Sequence, residues 1–266
     1  MKGIGCFCFY KHHTRKNMNS NIPKIIHYVW FGDKKKSRLI KNCISTWHKN
    51  LPDFEIKEWN ETNFDLQNHP FAREAYEAGK FAFVSDYVRV YTIYNQGGIY
   101  FDTDVEVMKN FSDVLTGTKG VFAFEMPNTV LTGFFAAEKG NLLLRQILDY
   151  YDSITFYDEK GKMRITPNPV IFADAAKNFG LVFDGTYQEF GDGMKIYPNE
   201  VFGGYNVYDM TYTITDSTIL VHHCTGTWKT FLENIQVYLK KRILKIIGID
   251  AYRSIRRIKH IIFNIK

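Results

Sequence analysis

Two carboxylates one residue apart, Asp102 and Asp104 in the stretch GGIYFDTDV, close a run of aromatic and aliphatic side chains. Read as strand residues, Tyr100, Asp102 and Asp104 share one face, and the two acids sit about 7 Å apart along the chain, aimed at one point. Like charges held close need a proton or a cation. Three chemistries fit. An acid/base pair is possible, although two acids on one strand face do not flank a bond from opposite sides. A hard divalent ion, Mg2+ or Mn2+, takes oxygen ligands and keeps open positions for the phosphate oxygens of a leaving group. The third reading is a pair of solvated acids in a turn, and D-x-D alone does not separate it from the others. Upstream, Asp86 and Arg89 stand three apart and share a helix face; taken alone they read as a surface ion pair worth well under ~1 kcal/mol.

The elements that must position these residues follow from the pattern of the chain. IPKIIHYVWFG reads as a strand that leaves Pro23 and turns at Gly32. SRLIKNCISTWHKN reads as a helix with Leu39, Ile40, Cys43 and Trp47 on one face, and FEIKEWN as a second strand, so the spacing predicts a βαβ unit and a parallel sheet. HPFAREAYEAGKFAFVSDYVRVYTIYNQGG carries two helical stretches broken at Gly79, the second closed by Gly97 and Gly98, with Val84, Val88, Tyr91 and Ile93 as its core side. Short strands follow at GVFAF and TGFFAA, helices at GNLLLRQILDYY and NPVIFADAAKNFG, a strand and turn at MKIYPNEVFGGYN, and a strand in TILVHHCTGTW. After Thr230 the pattern is helical.

The 266 residues, 45% hydrophobic and 16% aromatic, exceed a disordered composition and can bury a substantial core. Cys6, Cys8, Cys43 and Cys224 form no C-x-x-C pair and are too few for a disulfide scaffold, which favours a reducing compartment. A zinc site from Cys6, Cys8, His12 and His13 has no standard spacing, against the plainer reading of an N-terminal extension. No run approaches the ~20 apolar residues of a membrane span, and the N-terminal apolar stretch is too short for a signal peptide. The net charge of +6 is uneven: from Lys229 onward ten Lys or Arg face only Glu233 and Asp250, so the preceding body is slightly acidic and a nucleic-acid role is not expected. The expected organisation is an N-terminal extension over 1–20, a catalytic domain over 21–229 and a basic amphipathic tail over 230–266.

A haloacid-dehalogenase phosphatase would continue D-x-D-G-T, whereas Val105 and Glu106 follow here. Instead, from about Ile22 to Trp228 the chain resembles glycosyltransferase family 32, whose members carry a DXD sugar-binding region and include capsular-polysaccharide and outer-chain mannosyl enzymes. IPKIIHYVWFG is similar to the family's first strand, FVSDYVRVYTIYNQGGIYFDTDV to its central block, IYPNEVF to a later turn, and HHCTGTW to its terminal segment, with Cys224 where an aromatic is usual and Thr227 where Ser is usual. The resemblance implies an α/β fold of the GT-A, Rossmann-like type that binds a nucleotide sugar, with a C-terminal basic helical appendage.

It further implies that Asp86 and Arg89 contact the donor rather than forming a mere ion pair, and that Trp30 stacks on the nucleotide base. Asp102 and Asp104 would hold Mn2+ or Mg2+, with Tyr100 on their face. His222 and His223 lie on one strand, so only one can join the metal; His223, or else His222, is the expected ligand. Thr227 and Trp228 would bind the β-phosphate through a hydroxyl and an indole N–H. Glu125, Asn128, Thr132 and Asn168 are candidate acceptor contacts or structural residues. The activity implied is transfer of a hexose, with retention of configuration, from a UDP-type nucleotide sugar to a glycan or lipid-linked saccharide in surface polysaccharide synthesis, such as capsule or lipopolysaccharide. A metal-dependent phosphohydrolase or phosphotransferase and a catalytically silent carbohydrate-binding relative are the alternatives. In the tail, Ile235, Leu239, Ile243, Ile246 and Ile247, then Tyr252, Ile255, Ile258 and Ile262, recur at helical spacing among Lys and Arg. They predict either packing on the catalytic domain or docking on an anionic membrane. The expected location is cytoplasmic, peripheral at the inner face of the membrane.

Overall fold

The computed structural model of the protein describes residues 22–226 and 231–254. Cys6, Cys8, His12, His13, Thr227, Trp228, Ile255, Ile258 and Ile262 lie outside the described residues.

Strand β1 (Ile25–Val29) leaves Pro23 and leads to helix α1 (Arg38–Asn50), capped by Ser37, whose hydroxyl accepts the Ile40 amide. Ile40, Cys43 and Trp47 form its buried side, while Leu39, expected on that face, is 39% exposed. Leu39 lies at the rim of that buried arc, 40° from Cys43 but 80° from Trp47 and 100° from Ile40. Strand β2 (Glu55–Trp59) then pairs parallel with β1, which gives the expected βαβ unit. Helices α2 (Pro70–Glu77) and α3 (Phe81–Gln96) follow, separated at Gly79. In α3, Val84, Val88 and Ile93 are buried as expected, Tyr91 is half-buried, and Arg89 is itself buried.

Strand β3 (Gly98–Phe101) runs parallel to β1 on its other side. The Gly97-Gly98 turn is what permits the approach. Gly97 and Gly98 have φ of 71° and 111°, and a Cβ on Gly98 would lie 2.5 Å from the Ile25 carbonyl. Beneath them His27, buried on β1, contacts the Gly97 carbonyl through Nε2 at 3.0 Å and accepts the Trp59 indole N–H at Nδ1, also at 3.0 Å. Those partners fix the neutral tautomer with the proton on Nε2. Burial, with the Lys57 charge nearby, pulls its pKa down to about 4 despite the bond to Gly97.

Strands β4 (Val105–Val107), β5 (Gly120–Met126), β6 (Thr129–Val130) and β7 (Phe134–Ala137) come next, then helices α4 (Leu142–Asp152) and α5 (Asn168–Lys177). Strands β8 (Gln188–Phe190) and β9 (Met194–Tyr197) complete an eight-stranded sheet in the order β2-β1-β3-β7-β5-β9-β8, with β6 paired to β5. Both faces are covered. Ile99, Phe101, Phe134 and Ala136 turn to the cluster around Trp47, and Tyr100, Phe135 and Ala137 to the cluster around Tyr87 and Phe122.

Strand β10 (Phe202–Gly203), the hairpin β11 (Tyr205–Asn206) and β12 (Thr211–Tyr212), and strand β13 (Leu220–His222) lead back towards the aspartates, with β13 antiparallel to β4. Helix α6 (Phe231–Ile247) ends before Gly248. Among the described residues no helix is long and apolar enough to cross a membrane.

Candidate metal and donor site

Asp102 and Asp104 converge, but not by strand alternation. Strand β3 stops at Phe101, and Asp102, Thr103 and Asp104 form a turn into β4, closed by the Val105 amide on the Asp102 carbonyl at 3.0 Å. The Asp102 amide donates to the Gly133 carbonyl at 2.8 Å, so the turn is anchored to the residue just before β7. From behind, α1 grips β4: Trp47 Nε1 donates to the Val105 carbonyl and Asn50 to the Val107 carbonyl, each at 2.7 Å. A turn held on both sides can present two like charges at one place.

Opposite them stands His222, the last residue of β13. Its Nε2 lies 3.2 Å from Asp104 Oδ1 and 3.6 Å from Asp102 Oδ2. One donor atom from each of the three residues falls within 4.8 Å of the others. Six-coordinate Mg2+ with ~2.1 Å bonds places its ligand atoms about 3–4 Å apart, so this oxygen-rich set with one imidazole fits a divalent ion. Alternation along β13 turns His223 elsewhere: Nε2 meets Glu106 Oε2 at 3.0 Å and Nδ1 meets the Tyr212 hydroxyl at 2.9 Å. Of the two expected candidates the structure therefore places His222, not His223, beside the aspartates.

The two aspartates differ in their surroundings. Asp104 is buried, and Oδ2 accepts both the amide and the hydroxyl of Thr225 at 2.7 Å. Burial alone would raise its pKa; the His222 charge and the Thr225 bonds outweigh that and hold the carboxyl well below the usual carboxylate range. His222 is pushed the other way. Burial would lower its pKa, but Cys224, 3.4 Å from Nδ1, and Asp104 raise it well above the ordinary value. Asp102, more open, accepts the Tyr100 hydroxyl at 2.7 Å and lies 3.4 Å from Arg89 Nη2.

Arg89 ties the helix to this centre. Its guanidinium reaches Asp86 at 3.0 Å, donates to the Thr132 carbonyl at 2.8 Å and packs over the Tyr100 ring. Helical spacing alone suggested a solvated pair; burial makes it a fixed one. Desolvation lifts Asp86 to about 6, with Arg89 opposing and Asp102 adding to the rise. Asn168, at the start of α5, donates to Asp86 at 3.2 Å and accepts from the Tyr151 hydroxyl, and Thr132 is buried with its carbonyl on Arg89. Both acceptor candidates thus brace the donor side. Glu125 is half-buried near His222 and Asp102, and its pKa is raised by burial, whereas Asn128 sits exposed at the β5–β6 tip. Trp30 follows β1 as Asp102 follows β3, on the same edge of the sheet because those strands are parallel. Its indole N–H donates to the Lys34 carbonyl at 2.9 Å.

Three contributors escaped sequence reasoning. Thr225 lies inside the terminal stretch HHCTGTW but carries no distinguishing signal there. Ser85 meets the Tyr100 hydroxyl at 3.0 Å and Arg89, and precedes Asp86 directly. Gly133 backs His222: a Cβ there would lie 2.6 Å from the imidazole, a contact only the tertiary structure reveals.

Residues 37–121, which run from the α1 cap through the DXD turn into β5, match the glycosyltransferase sugar-binding region containing the DXD motif. This segment, about a third of the chain, is similar to that family's sugar-binding region. An inositol phosphoceramide mannosyltransferase of Schizosaccharomyces pombe is 28% identical over 113 residues, covering 40% of this chain and 31% of the yeast protein. The chain spans about a third of that relative's length. A glycosyltransferase of Acanthamoeba polyphaga mimivirus is 24% identical over 235 residues, with 84% of this chain and 90% of the viral protein covered. Of solved structures, the PaToxG glycosyltransferase aligns at 23% identity with a TM-score of 0.49, over 59% of this chain and 69% of its own. The galactosyltransferase LgtC aligns at 12% identity with a TM-score of 0.43, over 84% and 95%.

Proposed function

We propose that this chain is a metal-dependent glycosyltransferase of GT-A type that moves a hexose from a UDP-type nucleotide sugar to a glycan or lipid-linked saccharide acceptor. The observation that carries the reading is the convergence of Asp102, Asp104 and His222 within 4.8 Å, beside the buried Asp86–Arg89 pair. A divalent ion, Mn2+ or Mg2+, would supply charge neutralisation for the departing diphosphate. Asp102, Asp104 and His222 would hold it. Arg89 and Asp86 offer fixed donors and an acceptor to sugar hydroxyls or ribose, and their shared hydrogen bonds keep both in place before the donor arrives. Trp30 offers an indole face to the base. In the sequence Thr227 and Trp228 follow one glycine after Thr225, which is bonded to Asp104, and they are the groups proposed for the β-phosphate.

Retention of configuration accords with a site that offers positioning and charge stabilisation, the leaving phosphate assisting attack on the same face of the sugar. A lipid-borne acceptor is supported by the yeast relative, whose name joins mannosyl transfer to inositol phosphoceramide. We assign the activity to surface polysaccharide synthesis, capsule or lipopolysaccharide, in the cytoplasm. The test is a screen of UDP- and GDP-sugars with Mn2+, following release of nucleoside diphosphate. The reading expects turnover with a UDP-sugar that a chelator abolishes. Turnover of phosphate esters with no nucleotide-sugar cleavage would assign a phosphohydrolase or phosphotransferase instead, and nucleotide binding without any turnover a silent relative.

A further inference from the structure

Among its residues with described side chains, helix α6 is buried along one side. Leu244 is buried at 8% exposure, Val237 is half-buried, and Lys240 Nζ donates to the Val207 carbonyl at 3.3 Å. Beyond Gly248, Arg253 Nη2 pairs with Asp209 at 2.7 Å, and that carboxylate is only 7% exposed. These contacts seat the tail on the hairpin of β11 and β12. Set at 100° per residue from Leu244, Ile235, Leu239, Ile243 and Ile246 fall within an arc of about 80° on the opposite side. All four are exposed, Ile246 at 80%. The stripe that could have packed on the catalytic domain instead faces away from it. On the same wheel the exposed Arg242 lies 20° from one edge of that arc and the exposed Lys245 80° from it, whereas Lys241 falls nearer Leu244.

We propose that this outward face of α6 docks on an anionic lipid surface, its isoleucines and leucine entering the headgroup boundary and Arg242 and Lys245 beside them meeting lipid phosphates. Charge complementarity selects the occupant. An apolar arc with Arg242 and Lys245 along one border suits an anionic bilayer better than a second copy of the same helix, which would set like charges against each other. Docking by this face leaves the contacts of Lys240 and Arg253 with the β11–β12 hairpin intact, so the tail holds the domain and the surface at once. The inference does not rest on the transferase reading, because no residue of the metal and donor site takes part.

The test is flotation of the full chain with vesicles of phosphatidylcholine alone and of phosphatidylcholine with about one third phosphatidylglycerol. The proposal expects binding to the anionic vesicles only, weakened by salt. Arg242→Gln with Lys245→Gln should lower partitioning about fivefold per charge, and Ile243→Glu with Ile246→Glu should abolish it. Both pairs are exposed, and circular dichroism checks that they stay folded. Absence of flotation, equal binding to neutral vesicles, or binding unmoved by the glutamates would overturn the proposal. So would a dimer in light scattering that the glutamates convert to monomer, since the face would then belong to a second copy. Catalytic turnover of the soluble chain stays unaltered by either pair, so failure here and failure of the transferase reading are read separately.

Discussion

The DXD turn and helix α6 handle charge in opposite ways. Around the turn Asp86, Arg89, Asp104 and His222 are buried or nearly so, and each meets at least one other of the group or a neighbour such as Thr225 or Thr132. On α6 Lys241, Arg242 and Lys245 are exposed. A buried charge is tolerable only with its partners fixed, so the site is rigid and its members are interdependent. An exposed charge is cheap and replaceable, which leaves a surface free to meet something else. Substitutions should therefore have large, coupled effects in the first region and small, local ones in the second.

The strongest challenge to that contrast is Arg89→Ala. It strips Asp86 and Asp102 of their shared cation and should cost about 3–5 kcal/mol in urea unfolding; a cost below ~1 kcal/mol would show that the pair is solvated after all. The next tests the sheet beneath the turn. His27 is neutral when folded, with a pKa near 4 against an ordinary 6.5. The unfolded chain therefore takes up the proton first: stability from this group is fully present above pH 6.5 and is lost as pH falls towards 4, by about 3 kcal/mol in all. His27→Gln should flatten that part of the pH profile of the melting temperature, and an unchanged slope would contradict the neutral tautomer.

Smaller still is Gly133→Ala, whose new methyl would meet the His222 ring. Displacing a ligand from behind should weaken Mn2+ binding about 10- to 100-fold, measured by calorimetry, while unfolding shifts modestly. An unchanged affinity would mean that His222 swings freely. Least of all, Ile246→Glu, on the exposed face of α6, should alter stability by no more than ~0.5 kcal/mol; a loss of 2 kcal/mol would show that the face is packed.

The same contrast explains what could be read from the chain. Local signals placed the strands at Ile25–Val29 and Glu55–Trp59, the helix break at Gly79, and the Gly97-Gly98 stop, because periodicity and backbone preference act within a few residues. Asp102, Asp104, Asp86 and Arg89 stood out through their spacing and family resemblance. Which histidine turns inward depended on the pairing of β13 with β4, residues more than a hundred positions apart. For the same reason the aspartates proved to lie on a turn rather than a strand, anchored by Gly133, and Asn168 and Thr132 proved to brace Arg89 and Asp86. The tail's amphipathic pattern was visible, but the direction of its apolar face was not. Period fixes a stripe and only tertiary contacts decide what it faces.

Adjacent histidines give the most direct test of the central claim, that Asp102, Asp104 and His222 form a metal-dependent donor site. Mn2+-dependent binding of UDP should be measured by calorimetry for the unaltered chain, Asp104→Asn, His222→Ala and His223→Ala. The account predicts binding that requires Mn2+, falls by about 10³-fold in Asp104→Asn and His222→Ala, as expected when several kcal/mol of metal-borne charge stabilisation is lost, and largely survives in His223→Ala. UDP binding that ignores Mn2+, or that survives Asp104→Asn and His222→Ala while failing in His223→Ala, would contradict it.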